Sequence, residues 1–310
     1  MSTATFPSNP SVKPNPAAQA GTAFWGALRA TLRFLRDNWL FTLGFGLLAA
    51  LYLFGVIGAL FVDVTRANMG ANPLNRPPSL EHPLGTEGFG RDIFTLMVIG
   101  IPTTFRIGLL AGGVGVAIGA LIGLIAGYYK GFLDIAVSSL ADVMLVIPAL
   151  AILITISAYV RVMTVELMAL IVGLLAWPLP ARVIRAQTLS LRERLFVEVA
   201  RLNGQNDFEI IFLQILPNLT AYLAAAFVGS VSTGILAAVG LEVLGLGPQQ
   251  VPTIGRTLYH SFTYSAMFRG MWWWWGPPIA TLAIIFLGLF LMSVSLDKYA
   301  NPRLKGAMRG

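Results

Sequence analysis

Residue types that do chemistry are scarce in this chain, and the spacings that would make them work are missing. There are no cysteines, hence no disulfide framework, no thiolate metal site and no thiol nucleophile. The two histidines, His82 and His260, form no H-E-x-x-H pair. A phosphate-cradling loop requires G-x-x-x-x-G-K-[ST], yet Lys13, Lys130, Lys298 and Lys305 follow Val, Tyr, Asp and Leu. No G-x-S-x-G elbow and no pair of intramembrane carboxylates is present; Asp142 and Glu242 stand singly near the ends of apolar blocks. The chain therefore reads as a non-catalytic protein that cannot bind ATP through such a loop. The remaining polar candidates are Ser230, Ser232 and Thr233, set among Ala224, Ala225, Ala226, Gly229 and Gly234. Such hydroxyls either line a polar route or bond back to their own helix and its neighbours. Glu242 joins them as a candidate for a translocation path. Arg106 either lines a pathway or snorkels to an interface, since 23 apolar residues follow it.

The elements that must hold these residues are membrane helices. Of 310 residues, 56% are hydrophobic and 11% charged, where a soluble domain carries about 25% charged. The apolar residues fall in charge-free blocks long enough to cross a hydrocarbon layer of ~30 Å. The blocks are Trp39 to Val62, Ile107 to Tyr129, Val143 to Val160, Val162 to Ala181 (with Glu166 in its first turns and Trp177-Pro178 near its end), a span within Ile210 to Leu241, and Gly270 to Leu296. The expected fold class is all-α: a polytopic membrane protein with six transmembrane helices and a helix on the inner side between spans four and five. Residues 1–23 read as a disordered tail, 24–62 as an amphipathic helix and first span, with Arg29, Arg33 and Arg36 on one face. Residues 63–98 form an outer loop, and 99–296 the core, with inner loop 182–209 and outer loop 242–269. A tail, 297–310, follows.

Six spans put both termini on one side, and the basic residues say which. With cytoplasmic termini, the inner segments hold Lys13, Arg29, Arg33, Arg36, Lys130, Arg182, Arg185, Arg192, Arg194, Arg201, Lys298, Arg303, Lys305 and Arg309. The outer ones hold only Arg66, Arg76, Arg91, Arg161, Arg256 and Arg269. This bias favours cytoplasmic termini. It also accounts for the net charge of +7 without nucleic acid. Trp272 to Trp275 then stand at an outer boundary, as an interfacial belt or as rings that stack on sugars. His82 and His260 read as ordinary polar loop residues near the outer surface.

Two patterns describe how such a bundle is built. Ala111, Gly115, Gly119, Gly123 and Gly127 recur every four residues, a ridge that lets helix backbones approach closely in lipid. In the inner segment Leu191, Leu195, Val199 and Leu202 form an apolar stripe on a short helix, and Arg194 can pair with Glu198. Gly204 suits the left-handed residue that ends a helix, and Pro217 the first turn of the next one. The result is a compact knob on the inner surface, or alternatively a helix lying on lipid headgroups.

The run Glu198-Val199-Ala200, then Gly204, then Leu216-Pro217 resembles the EAA loop of membrane subunits of bacterial ATP-binding-cassette importers, with Val199 in place of Ala and Gln214 in place of Ile. The segment HPLGTEGFGRD (82–92) resembles one of the oligopeptide, dipeptide and nickel branch, with Glu87 where Asp is usual. GLIAGYYKGFLD (123–134), DVMLVIP (142–148), LEVLGLG (241–247) and Asn301 to Leu304 follow the same branch. Glu242 stands where that branch commonly has Ser. The four-tryptophan run and the SLDKYANPRL ending resemble oligosaccharide-uptake members as much as peptide ones.

The resemblance implies a permease of a prokaryotic cytoplasmic membrane that works by alternating access. Its partners would be a homologous second permease subunit, one or two ATPase subunits that bind ATP and Mg, and an extracytoplasmic solute-binding protein. Leu195, Phe196, Glu198, Val199, Ala200, Leu202, Gly204, Leu216 and Pro217 would belong to the ATPase-coupling loop, with Phe196 and Leu202 as groove contacts. The substrate would be an oligopeptide or a related oligomer such as an oligosaccharide. The alternative is a secondary transporter or channel without ATPase; against it stand the knob and the lack of an evident inverted repeat.

Overall fold

The computed structural model describes residues 33–300. The expectations for the tail 1–23, for Arg29 and for Asn301 to Leu304 lie outside them. The described residues are almost wholly helical, with one isolated β-bridge between Thr86 and Asp92. Four helices are long and apolar enough to cross a membrane: α1 (Trp39–Phe61), α2 (Ile93–Tyr129), α8 (Thr220–Val243) and α10 (Trp272–Ala300). Two bent pairs complete six spans if each pair counts as one: α3 (Gly131–Val146) with α4 (Ala149–Tyr159), and α5 (Val165–Ala176) with α6 (Pro178–Leu191). The short helices α7 (Leu195–Leu202) and α9 (Ile254–Thr263) lie between spans.

The second span differs most from its apolar block. α2 starts at Ile93, inside the segment 63–98, because the Asp92 carboxylate accepts from the Thr95 N–H (2.9 Å) and caps it there. Its first turns bury Ile93, Leu96, Met97, Ile101 and Phe105 in the core beside Trp274, Ile254 and Ile285. A helix of 37 residues is about 55 Å long, which exceeds a hydrocarbon layer of ~30 Å.

The third and fourth spans are broken where proline stands. Between α3 and α4 the axis turns by 82° at Ile147-Pro148. Ile147, the residue before proline, is extended (φ −75°, ψ 128°), as the clash with the proline ring demands. α5 and α6 turn by 43° around Trp177-Pro178, with Trp177 still helical and Pro178 beginning α6. Here the missing N–H is tolerated in a first turn.

α2 is the central post, and its glycines divide between two neighbours. A Cβ on Gly119 would stand 2.7 Å from the Trp177 carbonyl oxygen, and one on Gly123 2.6 Å from that of Ala181. Gly115 and Gly127 face Ala176 and Arg185 in the same way, so this ridge seats the α5–α6 pair. One turn round, Gly108 and Gly112 accept Ile235 and Val231 of α8. α1 packs on α10 through Gly44 against Gly288, and on α2 through Gly55 against Pro102.

Candidate functional site

At the end of the bundle where α2 stops, the chain folds back into the expected knob. Val197 and Ala200 of α7 are buried with Leu124, Tyr128, Ile184, Ile210, Ile211, Ile215 and Leu219. The stripe read from sequence faces the other way: Leu195 is 73% exposed, Val199 46% and Leu202 82%. Only Leu191 of that stripe packs on the core. Phe196 and Glu198 are exposed as well. Arg194 is the N-cap of α7, and among the described residues no ion pair joins it to Glu198.

α7 ends as glycine dictates. Gly204 has φ +81°, its N–H donates to Arg201 O (3.0 Å), and the Gln205 N–H donates to Ala200 O (3.2 Å). This pair of bonds satisfies carbonyls the helix would otherwise leave open. Asn206 and Glu209 then form a reciprocal capping box. The run Ile210–Ile215 is a π-helix, and its ladder continues with the Leu216 N–H on Ile211 O. Pro217, which has no N–H, falls directly after this wide turn, and α8 begins only at Thr220. Leu216-Pro217 therefore begins a single α-helical turn, Leu216–Asn218, set between the π-helix and α8, with Pro217 in its first two positions.

The knob is tied to α2 by side chains outside the loop pattern. The Tyr128 hydroxyl donates to Asp207 Oδ1 (2.6 Å), the Arg192 guanidinium donates to the Tyr128 carbonyl, and Lys130 Nζ meets Glu193 Oε1 at 2.8 Å. Lys130 and the Arg192 ion pair hold the Glu193 carboxyl below its ordinary range, the Lys130 bond contributing most. Tyr128 was the residue sequence reasoning missed. Its one signal is position: the end of a charge-free block, where a ring with a polar tip favours the boundary.

Within the bundle, a cavity of about 310 Å³ opens at the α3–α4 break, lined among others by Ile147, Pro148, Leu179 and Thr233. A smaller one of about 170 Å³ is bordered by Val183, Gly229, Ser230 and Thr233. Thr233 bonds back to Gly229 O and Ser230 O, and Ser232 is half-buried away from both cavities. Glu242 borders neither of these two cavities. It is buried at the end of α8, where a Cβ on Gly255 would stand 2.1 Å from its Oε2 and one on Gly247 2.5 Å from its Cγ. Neither of its carboxyl oxygens has a hydrogen-bond partner among the described residues. Asp142 is ion-paired with Arg182, and Asp134 with Arg185, which clamps α3 to α6.

The opposite end carries a packed cap rather than two free loops. His82 Nδ1 lies 2.8 Å from Asp92 Oδ2, and Arg91 pairs with Glu87, all four buried. Burial pushes the Glu87 carboxyl up, and Arg91 offsets part of that. His260 is buried too, edge-on to Phe89 at 5.1 Å between ring centres; burial, then Arg91 and Arg256, hold it down to about 4. Both histidines are thus interior parts of the cap, not surface loop residues. The tryptophans do the same work. Trp274 is fully buried and stacks on Tyr264, and Trp273 Nε1 donates to Thr86 O (3.4 Å). Only Trp272 is left largely exposed, so the run anchors the cap rather than forming a belt.

The sequence is similar to those of known proteins along most of its length. A model of the family described as binding-protein-dependent transport system inner membrane component matches residues 119–306. A dipeptide transport system permease protein of Alkalihalophilus pseudofirmus is 31% identical over 282 residues, which cover 89% of this chain and 90% of that one. A putative peptide transport system permease protein of Brucella suis is 34% identical over 233 residues (74% and 76%). A glutathione transport system permease protein of Escherichia coli is 32% identical over 242 residues (75% and 76%). With a polytopic helical bundle, no phosphate loop and these matches along most of its length, the chain belongs to the family of inner membrane components of binding-protein-dependent transport systems.

Proposed function

We propose that this permease passes peptides across the cytoplasmic membrane, driven by ATP that separate subunits bind with Mg and hydrolyse. The observation that carries the reading is the knob: Leu195, Val199 and Leu202 stand exposed on a helix braced from behind by Val197 and Ala200. Apolar side chains held outward on a rigid aqueous element suit a groove in another protein. An ATPase is the partner that supplies what this chain lacks, since it has no phosphate loop of its own. Phe196, Glu198, Gly204, Leu216 and Pro217 belong to the same coupling element as its exposed rim, stop and connector. A second, homologous permease completes the pathway, and a solute-binding protein delivers the cargo at the capped end. Ser230 and Thr233 border the route, whereas Glu242 serves to lock α8 to α9. Both termini are cytoplasmic on the balance of basic residues. Peptide cargo is supported by the relatives, which are named for dipeptide, peptide and glutathione transport.

The test is a detergent pulldown of the tagged chain from its native membrane, with mass spectrometry of stoichiometric partners and of ligand on any solute-binding protein. Recovery of an ATPase and a sister permease, with peptide on the binding protein, is the expected result. A chain that runs alone and moves solute in liposomes without ATP overturns the reading, and a sugar on the binding protein overturns the cargo.

A further inference from the structure

Arg106 and Glu166 form an ion pair that the transport reading leaves unused. Arg106 Nη2 on α2 lies 2.7 Å from Glu166 Oε1 on α5, and the side chains are 61% and 57% exposed. They stand in a cavity of about 570 Å³ between α1, α2, α5 and the segment 248–251, with Tyr52, Thr103 and Gln250 also on its wall. Arg106 is the one charge within α2, and Glu166 the one charge within α5.

Depth and surroundings say what kind of molecule fits. Below Arg106 the 23 residues to Tyr129 carry no charge, a rise of about 34 Å, so the pair sits at headgroup level of the outer leaflet. Directly beneath it, Leu109 and Leu110 on α2 and Leu170 and Leu174 on α5 are nearly half exposed. A cation and an anion side by side, over an exposed apolar wall, complement an amphiphile whose head carries both charges. A phosphate accepts from a guanidinium, and a primary ammonium donates to a carboxylate. A quaternary ammonium has no N–H to donate, and a glycerol head leaves Glu166 without a cation. The geometry points to a binding site for a phospholipid with a phosphoethanolamine headgroup, its phosphate on Arg106, its ammonium on Glu166 and an acyl chain along Leu109 and Leu110.

The test is native mass spectrometry of the purified transporter complex after equilibration with equal parts phosphatidylethanolamine, phosphatidylcholine and phosphatidylglycerol. Preferential retention of the ethanolamine lipid is expected, with Arg106→Gln and Glu166→Gln each lowering it about tenfold, the scale of one charge-assisted bond. Stepwise N-methylation of the headgroup, applied to the unaltered protein, should weaken retention and does not depend on a variant folding. Soluble glycerophosphoethanolamine should fail to compete, since it lacks the chains. Equal retention of the three lipids, or unchanged retention in both variants, overturns the site. So does displacement by the soluble headgroup or by a dipeptide, or an Arg106→Cys variant that cross-links to the sister permease.

Discussion

Gly204 has φ +81° and open space where a side chain would begin, so its constraint is conformational and not steric. Of the other residues, Asn accepts that region most easily and β-branched residues least. Gly204→Asn should therefore keep near-normal function. Gly204→Val costs about 1–2 kcal/mol at the end of α7 and should uncouple substrate-stimulated ATP hydrolysis in the reconstituted complex while the chain still inserts in the membrane. Equal activity of the two variants would show that the turn has no part in coupling. Gly255 is a different case. Its Cβ would stand 2.1 Å from Glu242 Oε2, so there the lack of a side chain makes room for a buried carboxyl at the α8–α9 junction. Sequence shows both glycines, but not which is conserving an angle and which a volume.

At the scale of elements, the seam between α2 and the α5–α6 pair rests on backbone contact. Gly123→Ala would drive a methyl to 2.6 Å from the Ala181 carbonyl oxygen, where neither backbone can yield cheaply. A loss of about 1–3 kcal/mol is expected from such overpacking. Gly113 lies on the same helix with only Phe227 at 4.0 Å, so Gly113→Ala should be neutral or gain a few tenths of a kcal/mol from helix propensity. Thermal unfolding of the two variants in detergent checks the contrast, and equal midpoints would refute the ridge. This seam was legible because a four-residue repeat of small side chains has one structural use in lipid. The outer turns of α2 were not legible: Pro102 and Arg106 interrupt the apolar run, and the burial of Ile93 to Phe105 depends on the cap folded over them. The tryptophan run misled for a related reason. Its enrichment at interfaces is an average, whereas Trp273 is placed by Thr86, 187 residues earlier, and Trp274 by the Tyr264 ring of the cap.

For the molecule as a whole, the question is how a knob at one end can move a cap at the other. α2 runs between them: at its C-terminal end Tyr128 holds the knob, and at its N-terminal end Asp92 holds His82 of the cap. Along its length it seats α5–α6 on one ridge and α8 on the other. Under the proposed coupling, a displacement of α7 reaches the bent α5–α6 span and α8 through one stiff helix, provided Tyr128 transmits it. The Tyr128 ring is buried in the cluster that holds Ile184 and Val197, so Tyr128→Phe removes the hydroxyl's bonds to Asp207 (2.6 Å) and from Arg201 (3.3 Å) and little else. The stability loss should be about 1 kcal/mol. Under the proposed coupling, transport per ATP hydrolysed should fall several-fold while basal hydrolysis persists, because the partner still docks on Leu195, Val199 and Leu202. Lys130→Ala breaks a neighbouring ion pair that is open to solvent on both sides, and should leave the ratio unchanged. Measuring solute uptake and phosphate release together in proteoliposomes separates the two cases. A Tyr128→Phe complex with the normal ratio would mean that motion passes instead through the π-helical connector Ile210–Ile215 into α8.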